Sequence, residues 1–316
     1  MARGARILAA LGLAVVLLYL VGSGIIVQRM AAGLLTVGPL AAALAEEPPP
    51  DDPLALGYRG DPGTALGLEF DAVRIETELG AAEGWFVPAS GEGSRLGAIY
   101  VHGIAGARED GYRHLSLLHA AGYDVLLMSY RNDPGAPADP AGTYGFGLSE
   151  WPDLEAAVGW MGERGHPDLL VVAESMGGAI LGQFLRQSPR AAAVEAVALD
   201  SPAVDSRAVL AHLSGRIGVP LPAVAARAGL VVMAVAGPRP LHRARVTEVF
   251  AGFDGPLFIA HGAGDSIVPL GSTERLLAAR EGPTVSVIGA AEHLQTHAED
   301  PVRYGEAFGR FLDMAD

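Results

Sequence analysis

Three residue types able to carry acyl-transfer chemistry follow apolar runs of this chain in a fixed order: Ser175 in VVAESMGGA (171–179), Asp265 in HGAGDSIVP (261–269) and His293 in GAAEH (289–293). A serine hydroxyl is barely ionised at neutral pH, so as a nucleophile it needs a neutral imidazole to take its proton. The imidazole in turn needs a carboxylate to fix its tautomer and steady the cation. Ser175, His293 and Asp265 supply those three roles. The oxyanion of an attacked carbonyl then needs two backbone donors. A strand-to-helix turn offers one at the amide of Met176, and the glycine-rich loop His102-Gly103-Ile104-Ala105-Gly106 offers the other at the amide of Ile104.

Each residue has a rival reading. Serine is a favoured helix N-cap, so Ser175 alone would be read as a cap. His297 lies only four residues after His293 but does not follow a strand directly, and is expected as a solvated helix-entry residue. Asp200 also ends an apolar run at the same edge, and is expected to cap a turn. Glu174, beside the serine, should point away from it and is given no chemical role. His102 is expected to shape the oxyanion loop, and Tyr130, Arg131 and Asn132 either to bind substrate or to hold a loop. His114, His119, His212 and His242 have no metal-ligand spacing with carboxylates, so neither a metal nor another cofactor is called for. The pattern G-x-S-x-G is nearly met, with Ala173 in place of the first glycine. One methyl is the smallest intrusion a side chain can make, costing about 1 kcal/mol if uncompensated.

The elements that must position these residues show in the hydrophobic pattern. DAVRIET (71–77) and GWFVP (84–88) read as a hairpin, followed by apolar runs at 97–103, 124–130, 169–175, 194–200, 256–262 and 284–289. Helical stretches at 109–121, 149–164, 176–188 and 272–281 link most of them, and 301–314 closes the chain. This is the rhythm of an α/β fold: a mostly parallel, eight-stranded sheet flanked by helices, with ligands beyond the carboxyl ends of its strands. The long gap before 256 holds IGVPLPAVAARAGLVVMAVAG, which is broken by prolines and Arg227, so a small helical cap over about 203–250 is expected there and not a second membrane span.

Upstream, ILAALGLAVVLLYLVGSGIIV (7–27) is an uncharged run as long as the roughly 20 residues that cross a bilayer. Arg3 and Arg6 precede it and acidic residues follow at 46, 47, 51 and 52, so the positive-inside bias puts the body outside the cytoplasm. The expected organisation is a transmembrane anchor over 1–30, a partly Pro/acid-rich linker over 31–69 holding the body off the membrane, and the catalytic domain over 70–316. Secretion after signal cleavage is the rival, but its apolar region would be shorter and followed at once by a cleavage site.

Composition closes other routes. The net charge of -14 and pI near 5.0 disfavour nucleic-acid partners. No cysteine is present, so disulfides, thiolate metal sites and a cysteine nucleophile are all excluded. Every basic side chain except histidine is arginine, and the arginines are scattered along the sequence.

From about residue 70 the chain resembles the α/β-hydrolase fold superfamily, through YVHGIAG, AESMGG, HGAGDSIVP and GAAEH followed by DPVRY. SYRNDPGAP (129–137) and the later EWPDLEAAV are similar to prokaryotic members of unknown substrate. The resemblance implies a serine hydrolase acting on an ester, thioester or amide, with Ser175, Asp265 and His293 as its triad. The expectation is a membrane-anchored serine hydrolase, of the carboxylic ester type, that forms an acyl-enzyme on Ser175. Its partners would be a small acyl substrate of lipid-like character and the membrane, through residues 7–27. A peptidase or amidase, or a non-catalytic binding module of the same fold, are the alternatives.

Overall fold

The computed structural model describes residues 2–46, 48–90, 97–237 and 239–315; Glu47, in the acidic stretch, lies outside them. Eight strands form one sheet in the order β1-β2-β4-β3-β5-β6-β7-β8. They are β1 (Asp71–Thr77), β2 (Gly80–Val87), β3 (Gly97–Val101), β4 (Asp124–Met128), β5 (Leu169–Glu174), β6 (Val194–Asp200), β7 (Leu257–Gly262) and β8 (Thr284–Gly289). The β1–β2 and β2–β4 pairs are antiparallel and the rest parallel, as the expected early hairpin followed by strand-helix units requires. Every residue of β3, β5 and β7 is buried, which is why these strands read as continuous apolar runs: both faces are covered.

Alternate side chains divide the core. Ile99, Val101, Val171 and Ile259 face one layer, Tyr100, Val172 and Phe258 the other. The second layer holds α4 (Tyr112–Ala120) and α12 (Pro301–Ala315). The first holds α5 (Trp151–Gly162), α6 (Met176–Gln187), α9 (Thr247–Ala251) and α10 (Leu270–Ala279), while the short α11 (Thr296–Glu299) precedes α12. The chain runs from β3 to β4 on one side and then to β5 on the other. The crevice where ligands bind in such sheets therefore lies over the ends of β3 and β5.

The cap is two helices, α7 (Ser206–Arg216) and α8 (Pro222–Ala236). Asp205 caps α7 by accepting from the amides of Arg207 and Ala208 at 3.0 and 3.2 Å. At 15 residues α8 is too short to span a bilayer, in keeping with a cap in that region.

The amino terminus departs most from the sequence reading. One helix, α1, runs from Ala2 to Leu35, well past the apolar run, and its carboxyl half docks on α8. Val27, Ala31 and Leu35 are buried there. Small residues let the backbones approach: a Cβ on Gly24 would lie 3.1 Å from the Ala228 carbonyl carbon, and one on Gly229 would lie 2.5 Å from Val27 Cγ1. The tyrosine hydroxyl of Tyr19 donates to the carbonyl of Pro220. Beyond α1 the Tyr144 amide donates to the Leu35 carbonyl at 2.8 Å, and Val37 donates to Gly142 at 3.1 Å.

Much of the segment expected as a spacer over 31–69 also lies on the body. After the short α2 (Pro39–Leu44), Leu54, Tyr58, Leu66 and Leu68 pack against the α4 layer. Asp110 accepts from the Gly57 amide at 3.1 Å and pairs with Arg59, and α3 (Pro62–Leu66) is capped by Asp61. The run of prolines and acids was a poor guide because the apolar residues that fasten the segment come after it. Gly229→Leu should push α1 and α8 apart and lower stability by about 1–3 kcal/mol. A thermal melt of the full chain in detergent would read this, and an unchanged midpoint would contradict the packing.

Candidate active site

β5 ends at Glu174, and α6 begins at Met176 with only Ser175 between them. The turn is strained: Ser175 has φ 49° and ψ −117°, a region almost reserved for glycine. What enforces it is the approach of α6 to β3. A Cβ on Gly177 would fall 2.4 Å from the Val101 carbonyl oxygen and 2.8 Å from that of His102, both backbone atoms that cannot move aside. Ala173 is fully buried within β5, in register with Val101 and Leu199, so the strand keeps its pairing with alanine in place of glycine.

His293 bridges the other two predicted residues. Its Nε2 lies 2.9 Å from Ser175 Oγ and its Nδ1 2.7 Å from Asp265 Oδ2. Facing a carboxylate, Nδ1 carries the proton, so Nε2 is the bare nitrogen and accepts from the serine hydroxyl. Ser175 forms no side-chain cap on α6, which separates it from an ordinary N-cap serine. Asp265 is tightly held: its Oδ1 accepts from the amides of Ile267 at 2.9 Å and Val268 at 2.7 Å. Burial pushes its carboxyl up, but hydrogen bonds from His261 and His293 and the charge interaction with His293 outweigh burial. The carboxyl is left well below the usual range and stays ionised.

His261 was not singled out in the sequence. Its Nε2 faces both the Val268 carbonyl at 3.0 Å and Asp265 Oδ2 at 3.1 Å, so it carries a proton there, and Thr273 Oγ1 lies 2.7 Å from Nδ1. The signal was the histidine that opens HGAGDSIVP, four residues before the aspartate, hidden because it lies inside a strand.

The loop after β3 lies against the serine. A Cβ on Gly103 would be 3.0 Å from Ser175 Cβ, leaving space there only for glycine or a small shift. Among the described residues the amides of Ile104 and Met176 donate to no acceptor, the state required of oxyanion donors. His102 fastens this loop, with Nδ1 2.8 Å from the Gly103 carbonyl and Nε2 2.8 Å from Asp133 Oδ2. Burial opposes a charge on His102, yet Asp133 and the Gly103 carbonyl prevail and raise its pKa. Tyr130 stacks on His102 and donates to the same carbonyl at 2.8 Å. Arg131 forms a two-pronged pair with Asp153, and Asn132 accepts from the Asp139 amide. All three therefore hold loops.

Behind the elbow lies a buried network that the sequence reading missed. Glu174 points away from Ser175, as expected, and its Oε1 meets Arg113 at 2.6 Å and His114 at 3.1 Å. Tyr100 donates to Glu174 Oε2 at 2.8 Å, and Tyr304 to Asp200 Oδ2 at 3.1 Å. Asp200 thus joins this network; it is neither the partner of His293 nor a simple turn cap. Its backbone carbonyl accepts from the Ser175 amide at 3.0 Å. The next residue, Ser201, accepts at Oγ from the Leu294 amide at 3.1 Å, tying the network to the His293 loop. His114, Glu174 and Asp200 converge closely enough to hold a cation. Arg113, 3.8 Å from Asp200, already supplies positive charge between the two carboxylates.

His297 makes no hydrogen bond to Ser175 or Asp265; its ring lies edge-on to Tyr304 at 5.2 Å. Half-buried near Arg113 and His114, it is not the solvated residue expected. Burial first, and then the charge interactions with Arg113 and His114, bring its pKa down to about 4. The unfolded chain protonates this residue more readily than the folded one, so its contribution to stability is lost as pH falls from about 6.5 towards 4. His297→Asn should therefore show a smaller drop in melting temperature over that range than the parent chain, and parallel pH curves would refute it. Arg113→Met leaves two buried carboxylates without their counter-charge and should cost about 3–5 kcal/mol in a denaturant titration.

No protein-family model matches the chain. The uncharacterized protein Rv2307c of Mycobacterium tuberculosis (strain ATCC 25618 / H37Rv) is 29% identical over 225 residues, 68% of this chain and 69% of its own length. The uncharacterized protein YfhR of Escherichia coli (strain K12) is 26% identical over 266 residues, 82% of each chain. Among solved structures, the Pyrococcus furiosus esterase Pf2001 superposes with a TM-score of 0.61 at 20% identity, covering 81% of this chain and 94% of that one. With the strand order and connections described above, the chain adopts the α/β-hydrolase fold.

Proposed function

We propose that the chain is a serine hydrolase that cleaves a carboxylic ester or thioester through an acyl-enzyme on Ser175. The observation that carries this reading is His293, which reaches Ser175 Oγ at 2.9 Å with one nitrogen and Asp265 Oδ2 at 2.7 Å with the other, above a strained elbow. Ser175 Oγ attacks the acyl carbon while its proton passes to His293 Nε2. Charge builds on the carbonyl oxygen, where the amides of Ile104 and Met176 donate. As the tetrahedral species collapses, His293 returns the proton to the leaving alcohol or thiol, and the acyl group stays on the serine. A water then attacks the acyl carbon, His293 takes its proton, and the second collapse frees the acid and restores the hydroxyl. Asp265 remains ionised throughout, and steadies the imidazolium at each transfer. The esterase named among the structural neighbours supports an ester substrate, as does the apolar cap.

The same reading keeps α1 as an anchor, with the catalytic domain on the non-cytoplasmic side. This helix is apolar enough to cross a membrane, and two arginines precede its apolar run. Burial of Val27, Ala31 and Leu35 against the body supports retention over cleavage, since loss of the segment would strip a packed face from α8.

Ser175→Ala should reduce turnover of a p-nitrophenyl ester by about 10,000-fold or more and abolish covalent labelling by a fluorophosphonate. Labelling that persists in the variant would overturn the assignment of the nucleophile.

A further inference from the structure

Exposed large apolar side chains are unevenly distributed in this molecule. Among the described residues outside α1 they are Leu44, Ile267, Val302, Met314 and a group of five within 217–235: Ile217, Leu221, Val224, Val231 and Val235. This group covers the free face of the cap. On α8, Ala225, Ala226, Gly229, Leu230 and Met233 face inward, while Val224, Val231 and Val235 recur on the opposite side with Arg227 among them. A helix on the surface of a water-soluble body presents polar residues outward. The outer face of α8 has one charge among its valines, and at 15 residues the helix cannot cross a bilayer by itself.

The packing of α8 says what covers the amino-terminal part of that face. Tyr19 meets Pro220, Gly24 meets Ala228 and Val27 meets Gly229, so both helices run in the same direction and are held at one relative height. The apolar run of α1 covers residues 7–27. Residues 220–229 of the cap therefore lie level with the last turns of that run, and Ile25 and Ile26 of α1 are exposed beside them. Arg227 is exposed on the outer face of α8 beside the residues level with the end of that run, with a stem long enough to bring its guanidinium group towards lipid phosphates.

Resting on the reading of α1 as a membrane anchor, we infer that the edge of the cap formed by Ile217, Leu221 and Val224 is immersed in the lipid leaflet from which α1 emerges. The membrane is the occupant because α1 carries this edge to leaflet depth. A second copy of the chain would cover the same side chains without requiring that height. The cap is then a second membrane contact, and the protein meets its bilayer through two elements packed as one unit.

The absence of native cysteine makes the test direct. Single-cysteine variants Leu13→Cys, Leu221→Cys, Val224→Cys and Val302→Cys of the full chain would carry an environment-sensitive fluorophore. They would be reconstituted into phosphatidylcholine–phosphatidylglycerol vesicles containing lipids with a nitroxide high on the acyl chain. Labels at 221 and 224 should be quenched several-fold more than the label at 302, which sits on an exposed turn of α12. If the label at 13 is quenched but those at 221 and 224 match 302, the cap inference is overturned and the anchor stands. If the label at 13 is not quenched, the anchor reading fails and the inference goes with it. Labels at 221 and 224 shielded from water yet not quenched by lipid would show another protein copy on this face, and would also overturn the inference.

Discussion

Helix α6 starts so close to β3 that Gly177 has no space for a side chain beside the Val101 and His102 carbonyls. From that close approach follow the positive φ of Ser175, the exposure of its hydroxyl to His293 and the placement of the Met176 amide at the mouth of the turn. A chain with α6 pushed outward by one methyl would relax the elbow and swing the serine away from the imidazole. The neighbouring loop depends on the same contact, because Gly103 packs directly on Ser175. Strain of this kind persists only where surrounding structure over-determines the conformation.

The surroundings in this case are polar and buried. Glu174 and Asp200 bracket the elbow from below, and Arg113 lies between them. The gross attraction in such a cluster largely offsets the cost of taking the charges out of water, so its net effect on stability is small while it is intact. Its consequence is geometric. Glu174 is joined to α4 through Arg113 and His114, and Asp200 to α12 through Tyr304, while Ser201 holds the loop that carries His293. Serine and histidine come from segments 118 residues apart in the chain, yet both are referenced to one set of buried charges.

The convergence of Ser175, His293 and Asp265 was legible in the sequence because each follows an apolar strand, and strand ends at one sheet edge are brought together by topology alone. Eight strands and the hairpin were visible for the same reason. The Glu174 network was not legible, since Arg113 and His114 sit on a helix and look like ordinary surface residues until the fold turns that face inward. Asp200 and His297 were misread for this reason: their roles depend on partners distant in sequence. His261 was concealed by being a polar residue inside a fully buried strand, one position before its end. The docking of α1 on the cap left no mark in hydropathy, because it depends on contacts between segments distant in sequence, Gly24 with Ala228 and Val27 with Gly229.

The proposed anchoring through a continuous helix would also change the kind of search the candidate site performs. A flexible tether would let a catalytic domain sweep a volume, with an effective concentration set by tether length. A helix of 34 residues, about 51 Å long and fastened to both α8 and Tyr144, would instead fix the height and tilt of the site above the lipid by packing. Under the proposed anchoring, encounter with a substrate carried in the membrane would be a problem in two dimensions, governed by lateral diffusion and by how densely that substrate populates the surface.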